Sequence, residues 1–326
     1  MDTCTAVSHT LAEPLTATAA TARTWLLVEQ PGPWGGKALT RSHLDPELGA
    51  RLEARAEPHG VRVALIRRPG PHADRHRAER RGAFLAHTLP GASWVRTTVL
   101  EPGTSAPSSG AETIQQALDA LDFAALGAGD PGGLPPRWTP YRGDPLVLVC
   151  TNGKRDQCCA LQGRPLAAEL AASGAADVWE ITHIGGHRFA PTLLVLPYGY
   201  AYGRADAPTV KSTVLAARDG RIALHGCRGR SAWDRPGQAA DLAVRAACGE
   251  HAADALAVTE VQGAESHWTV TVAHRDGRGW RVRVHAEPGE PAPASCGAAP
   301  TASVRMRVAG IEPTGPSAPS EAAPLG

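Results

Sequence analysis

The chain has 326 residues, 43% of them hydrophobic and 20% charged, which supplies a real core and a length suited to two or three domains. Its 33 basic and 32 acidic residues nearly cancel, excluding a broadly polybasic nucleic-acid binder or membrane-surface protein. No apolar run approaches the roughly 20 residues that cross a bilayer, and residues 1–20 lack the basic and apolar segments of a secretory signal.

Residues 1–22 are Ala/Thr-rich and expected to be irregular. A strand is predicted at 25–28, followed by a loop over 30–36 with two Pro and three Gly. The amphipathic stretch 46–57 places Leu48 and Leu52 on one helical face, and strands follow at 61–66, 83–87 and 94–100. Residues 113–121 complete the order β-α-β-β-β-α as a helix. A Gly/Pro-rich linker, 127–140, then separates two halves. The second half repeats the order: strand 146–150, polar loop 151–157, helix 159–172, strand 178–182, turn 185–191, strands 193–196 and 200–203, helix 210–217. Beyond residue 224 a helix is expected at 238–247. Strands 268–273 and 280–284 pair there as a hairpin across Asp276-Gly277. Residues 287–326 hold eight Pro and read as a tail with one strand at 304–308.

The expected fold class is therefore α/β (α+β), with tandem thioredoxin-like units over 23–126 and 141–223. A small C-terminal accessory region, 224–286, and the Pro-rich tail, 287–326, follow. Pro191 stands immediately before the strand 193–196, where that fold carries a cis proline, so a cis Ala190–Pro191 bond is expected.

Seven cysteines at 4, 150, 158, 159, 227, 248 and 296 are odd in number and unevenly spaced, and are expected to be reduced thiols of a cytoplasmic protein. Cys150 ends a strand, Cys158 and Cys159 open the next helix, and His183 and His187 straddle a Gly-Gly turn after the following strand. In the repeated topology these strand ends and the helix start meet at one edge of the sheet. Two sulfurs and two imidazoles suit zinc or an iron–sulfur cluster. Eight residues separate Cys150 from Cys159, a wider loop than the usual zinc knuckle. Gly185-Gly186 argues against a helix carrying both histidines, and the Glu of H-E-x-x-H is missing.

The segments 150–159 and 179–197 (Trp-Glu-Ile-Thr-His-Ile-Gly-Gly-His-Arg-Phe-Ala-Pro-Thr-Leu-Leu-Val-Leu-Pro), with Tyr202-Gly203-Arg204 and the N-terminal 24–35 (Thr-Trp-Leu-Leu-Val-Glu-Gln-Pro-Gly-Pro-Trp-Gly), resemble the sucrase/ferredoxin-like family over most of residues 20–230. The resemblance implies a thioredoxin-like ferredoxin domain. It also implies a Rieske-type [2Fe–2S] cluster on Cys150, Cys159, His183 and His187, and exchange of electrons with an unidentified redox partner protein. Cys158 aligns with a position that is not a ligand. Lys154, Arg155 and Asp156 would either tune the cluster or form a solvated loop, and Arg188 would pair with an acid or cap its turn. No paired carboxylates are placed for glycoside hydrolysis. A structural Cys2His2 zinc site and a thiol–disulfide oxidoreductase remain the alternatives, the second weakened by the lack of Cys-x-x-Cys.

Other readings are plainer. Cys4, Cys227, Cys248 and Cys296 are expected to pack as small buried hydrophobes. His72 and His76 lack sulfur partners and are expected at the surface. The run 62–81, with seven basic and two acidic side chains, is expected to be a solvated face or a steering patch.

Overall fold

The computed structural model describes residues 3–70, 80–101 and 113–315, so His72, His76 and the middle of the basic run lie outside it. The described elements run in chain order as follows. Helix α1 (Cys4–Thr10) precedes β1 (Thr24–Glu29), α2 (Pro46–Ala56), β2 (Val61–Arg67), β3 (Arg81–His87), β4 (Trp94–Leu100), α3 (Ile114–Asp119), α4 (Phe123–Ala128) and the short β5 (Thr139–Pro140). The second half comprises β6 (Leu146–Cys150), α5 (Gln157–Ser173), β7 (Asp177–Ile181), β8 (Leu193–Leu196), β9 (Tyr200–Tyr202) and α6 (Ala207–Arg218). Beyond it come β10 (Cys227–Arg230), α7 (Arg235–Cys248), β11 (Leu256–Ala264), β12 (His267–His274), β13 (Gly279–Pro293) and β14 (Pro300–Thr314).

The two halves share one topology. Strands run β2-β1-β3-β4 in the first and β7-β6-β8-β9 in the second. In each, the first two strands in sequence are parallel and the remaining pairs antiparallel. A parallel pair needs a crossover, which α2 and α5 supply. The halves join edge to edge through the antiparallel pair β2–β7, with Ile66 opposite Ile181 and Arg67 opposite Glu180. With β5 on one edge and β10 on the other, the result is a single 10-stranded sheet. The expected linker thus extends the sheet, because Thr139 and Pro140 pair with β4.

Alternation along the strands divides the core. Leu26 and Val28 of β1 face a cluster with Leu48, Leu52 and Leu118, whereas Trp25 and Leu27 face a cluster shared with Leu146, Leu148 and Ile181. In β6, Val147 and Val149 pack with Leu166 and Leu170 of α5, and Cys150 points to the shared cluster. Burial on both faces explains why these strands read as continuous apolar runs.

Three expectations about the ends are corrected. The first residues hold helix α1, capped by the Thr3 hydroxyl accepting from the Ala6 amide, with Cys4, Thr5 and Ser8 buried. The supposed tail contains β14 and the end of β13 in a sheet ordered β11-β12-β13-β14 that packs on α7. Its prolines lie where each strand pairs on one side only, because β14 is the sheet edge and β13 beyond His285 has left β12. Finally, β10 continues the large sheet by pairing with β9, so the accessory region is built into the fold. Among the described residues, no helix is long and apolar enough to cross a membrane. The Ala190–Pro191 bond is cis, and so is Leu196–Pro197.

His87 ends β3 fully buried. The Thr24 hydroxyl donates to the Leu126 carbonyl, so the His87 Nδ1–H donates to Thr24 Oγ1 at 2.8 Å. Burial, with Arg23 and Arg230 nearby, pushes this imidazole down to about 4. An unfolded chain takes up this proton near pH 6.5, so the site's contribution is complete above that pH and is lost as pH falls towards 4. The loss amounts to about 3 kcal/mol. Chemical denaturation at pH 7.5 and pH 4.5 checks this: His87→Gln is expected to narrow the difference between the two midpoints.

Candidate metal centre

The four sequence-selected donors gather at the carboxyl ends of the parallel strands β6 and β7. Cys150 is the last residue of β6 and lies opposite Ile181, the last of β7. Cys159 is in the first turn of α5, which Asp156 caps by accepting from the Cys158 amide at 2.9 Å. One turn further on, Gly163 lets the helix approach the strand: a Cβ there would lie 2.2 Å from the Cys150 carbonyl oxygen. The sulfurs of Cys150 and Cys159 and a ring nitrogen of His183 all lie within 4.8 Å of one another.

His187 approaches this trio from the other side of the Gly-Gly turn. Its ring centroid is 5.1 Å from that of His183, and its Nε2 is 3.7 Å from Asp156 Oδ2. Both ring nitrogens of His187, and Nδ1 of His183, are buried without a hydrogen-bond partner. Asp156 and the Ala294 backbone are close to His187 but fall short of hydrogen-bond geometry. Buried polar atoms almost always find partners, so three orphan nitrogens beside two buried thiols are the chemistry of a ligand set.

The electrostatics favour anionic sulfur. A hydrogen bond from Cys159, opposed by burial and aided by His183 and the Ile184 amide, holds Cys150 well below the usual thiol range. The same bond, with burial, pushes Cys159 up, so the pair shares one proton. Burial lowers His187 against the opposing pull of Asp156, which favours a neutral imidazole with one nitrogen lone pair to offer.

Two arginines not singled out for this role complete the surroundings. Arg62, read in sequence as part of a solvated basic face, donates to the His183 carbonyl at 2.8 Å. Arg228 is fully buried and donates through Nε to Thr18 Oγ1 at 3.0 Å and through Nη1 to the Gly185 carbonyl at 3.1 Å. It fills the space under the turn: Gly186, at φ +73°, has no room for a Cβ, which would sit 2.0 Å from Arg228 Nη2. The accessory region therefore sends a cation to the site. Only the motif around the turn could have hinted at a partner for it, and 29 other Arg residues offer no contrast.

The remaining sequence candidates separate clearly. Lys154 and Arg155 are solvent-facing, with Arg155 on the rim of a cleft of about 590 Å³ that also touches Arg62 and His183. Arg188 pairs with an acid: its Nε donates to both Glu13 oxygens at 2.9 Å. Pro191 lies between the His187 turn and β8. Cys158 is buried and points to Cys4 and Cys296, not to the Cys150 pair. Cys227 is buried as expected, but Cys248 is exposed, because it closes α7 on the outer side.

The family model described as Sucrase/ferredoxin-like matches residues 15–229. The chain belongs to the sucrase/ferredoxin-like family. The matched span contains all four donors and Arg228, whereas Cys4 and Cys296 lie outside it. No curated protein and no solved structure gives a match.

The N-terminal half of this family member buttresses the centre directly. Arg67 of β2 forms a buried ion pair with Glu180 of β7, with Nε and Nη2 each 2.8 Å from Oε2. Its Nη1 donates to the Gly32 carbonyl, and its guanidinium lies 3.9 Å above the Trp34 ring. Glu180 also accepts from Thr151, the residue after Cys150, and Asn152 donates to the Gly35 carbonyl. The 30–36 loop thus holds the loop that follows Cys150.

Proposed function

We propose that the protein is an electron-transfer protein of thioredoxin-like ferredoxin type, holding a Rieske-type [2Fe–2S] cluster through Cys150, Cys159, His183 and His187. The observation that carries this reading is the donor set itself: two buried thiols and two imidazoles, three of whose nitrogens are buried without partners. The repeated strand order supports a thioredoxin-like character for both halves. Soft sulfur with imidazole suits iron–sulfur chemistry. When bound, such a cluster supplies reversible one-electron transfer.

The chain's own residues set the conditions. Cys150 and Cys159, each 1% exposed, keep the sulfur end dry. His183 and His187 are only partly buried, and His183 borders the open cleft, so the imidazole end faces the side from which a partner protein would approach. Arg62 and Arg228 place positive charge beside a cluster that carries anionic ligands. Free thiols throughout fit a reducing, cytoplasmic compartment.

A single structural zinc is the second reading, favoured by one fact: Cys150, Cys159 and His183 are close enough to bind one ion, with His187 just outside that group. Thiol–disulfide exchange is disfavoured, because both sulfurs are sealed from any disulfide substrate. Anaerobic purification followed by iron and acid-labile sulfide analysis separates the two metals. Equal iron and sulfide, two of each per chain, with red-brown absorption is expected. A colourless protein that takes up no iron after anaerobic reconstitution would reject the cluster.

A further inference from the structure

Three cysteines from distant parts of the sequence meet next to the centre just described. Cys4 comes from α1, Cys158 from the first turn of α5, and Cys296 from the connection between β13 and β14. Their sulfurs form a triangle, with Cys4–Cys158 at 3.6 Å, Cys158–Cys296 at 3.3 Å and Cys296–Cys4 at 3.5 Å. The fourth member is Asp156, whose carboxylate oxygens lie 3.7 and 3.8 Å from Cys4 Sγ. All four donor atoms are within 4.8 Å of one another.

We propose that Cys4, Cys158, Cys296 and Asp156 form a second metal site, a structural zinc site distinct from the Cys150–His187 centre. A tetrahedral zinc with Zn–S bonds of about 2.3 Å has S···S edges of about 3.7 Å, and the thiol triangle already approaches that size. The carboxylate is oriented for the fourth corner: Oδ1 accepts from the Cys158 amide at 2.9 Å and Oδ2 from the Cys296 amide at 2.8 Å. Such outer hydrogen bonds fix a ligand without consuming its remaining lone pairs. Three thiolates and a carboxylate select zinc over the hard cations magnesium and calcium. On binding, each coordinating thiol releases its proton to solvent, with no change in oxidation state.

The ligands explain what the site does. Cys4 and Cys296 stand 292 residues apart, so one ion would tie the N-terminal helix and the β13–β14 connection to the start of α5. That helix start carries Cys159 and the Asp156 that faces His187. Capping of α5 accounts for the bond to Oδ1, whereas the bond from the Cys296 amide to Oδ2 brings the β13–β14 connection onto the same buried carboxylate. Cys296 is partly exposed, which provides an entry route for the ion.

The test uses the full chain with Cys150→Ser/Cys159→Ser, which removes the sulfurs of the first centre. After equilibration with zinc chloride and gel filtration, one zinc per chain is expected. Cobalt in its place should give thiolate charge-transfer bands and the intense visible bands of a tetrahedral ion. Adding Cys296→Ser should abolish the bands and weaken zinc retention against a competing chelator at least about 100-fold. A double variant that keeps its circular dichroism yet holds no zinc overturns the proposal, as does equal retention with Cys296→Ser. Should the double variant fail to fold, the wild-type chain loaded anaerobically with iron and sulfide decides. One zinc per chain beside the iron supports the site, and none rejects it.

Discussion

Cys150→Ser and Cys159→Ser are each expected to yield a folded, colourless protein without bound iron, whereas Cys158→Ser keeps its colour. The two thiols proposed as ligands lie at the end of β6 and the start of α5, and they share a proton in the metal-free pair. Serine replaces a polarisable thiolate with a hydroxyl that gives up its proton far less readily, so the iron loses a strong anionic ligand. Cys158 is the immediate neighbour of Cys159, yet helix geometry turns it about 100° away, towards Cys4 and Cys296. Iron analysis and visible spectra, with circular dichroism to confirm folding, compare the three variants. Equal loss of iron from all three would show that the ligands are wrongly assigned.

Arg67→Ala is expected to cost about 3–5 kcal/mol of stability, the range for breaking a buried ion pair by removing one partner. The partners are 4% and 3% exposed at the β2–β7 seam, so the deletion takes the Arg67 charge away from Glu180 in a dry site. The same deletion removes the donor to Gly32 and the cation above Trp34. Arg67→Lys keeps the charge but not the fork or the stacking, and is expected to fall between wild type and alanine. Guanidinium chloride denaturation measures the series. An unchanged midpoint for Arg67→Ala would mean that the seam is held by strand pairing and apolar contact alone.

The parts of the fold legible in the sequence are those fixed by local apolar patterning. Strands 94–100, 146–150 and 193–196 appear at the expected bounds, because each is an apolar or alternating run closed by polar, Gly or Pro residues. Helix α1 was illegible because Ala/Thr composition gives no amphipathic stripe, and its burial depends on Glu13, Arg188 and the Cys158 region far along the chain. The long strands β13 and β14 are hidden by their prolines, which sit where each strand pairs on one side only, an arrangement that no local pattern reveals. The candidate donors were legible because three of the seven cysteines and two of the 13 histidines fall between 150 and 187, while the choice of Cys159 over Cys158 came from the family resemblance. Arg62 and Arg228 could not, since what distinguishes a buried guanidinium from a surface one is its tertiary contact. The convergence of Cys4 and Cys296 on Cys158 is likewise a product of topology.

His187 sits 5.1 Å from His183 ring to ring and outside the tightest donor group, so a cluster held by both imidazoles needs His187 to reach the second iron. Pulsed electron paramagnetic resonance of the reduced, anaerobically purified protein tests it directly, by detecting ligand nitrogen coupled to the unpaired spin. Two strongly coupled imidazole nitrogens are expected in the wild type, with one lost in His187→Cys and the other lost in His183→Cys. A reduced iron–sulfur signal with no strongly coupled nitrogen would contradict a cluster bound by two cysteines and two histidines.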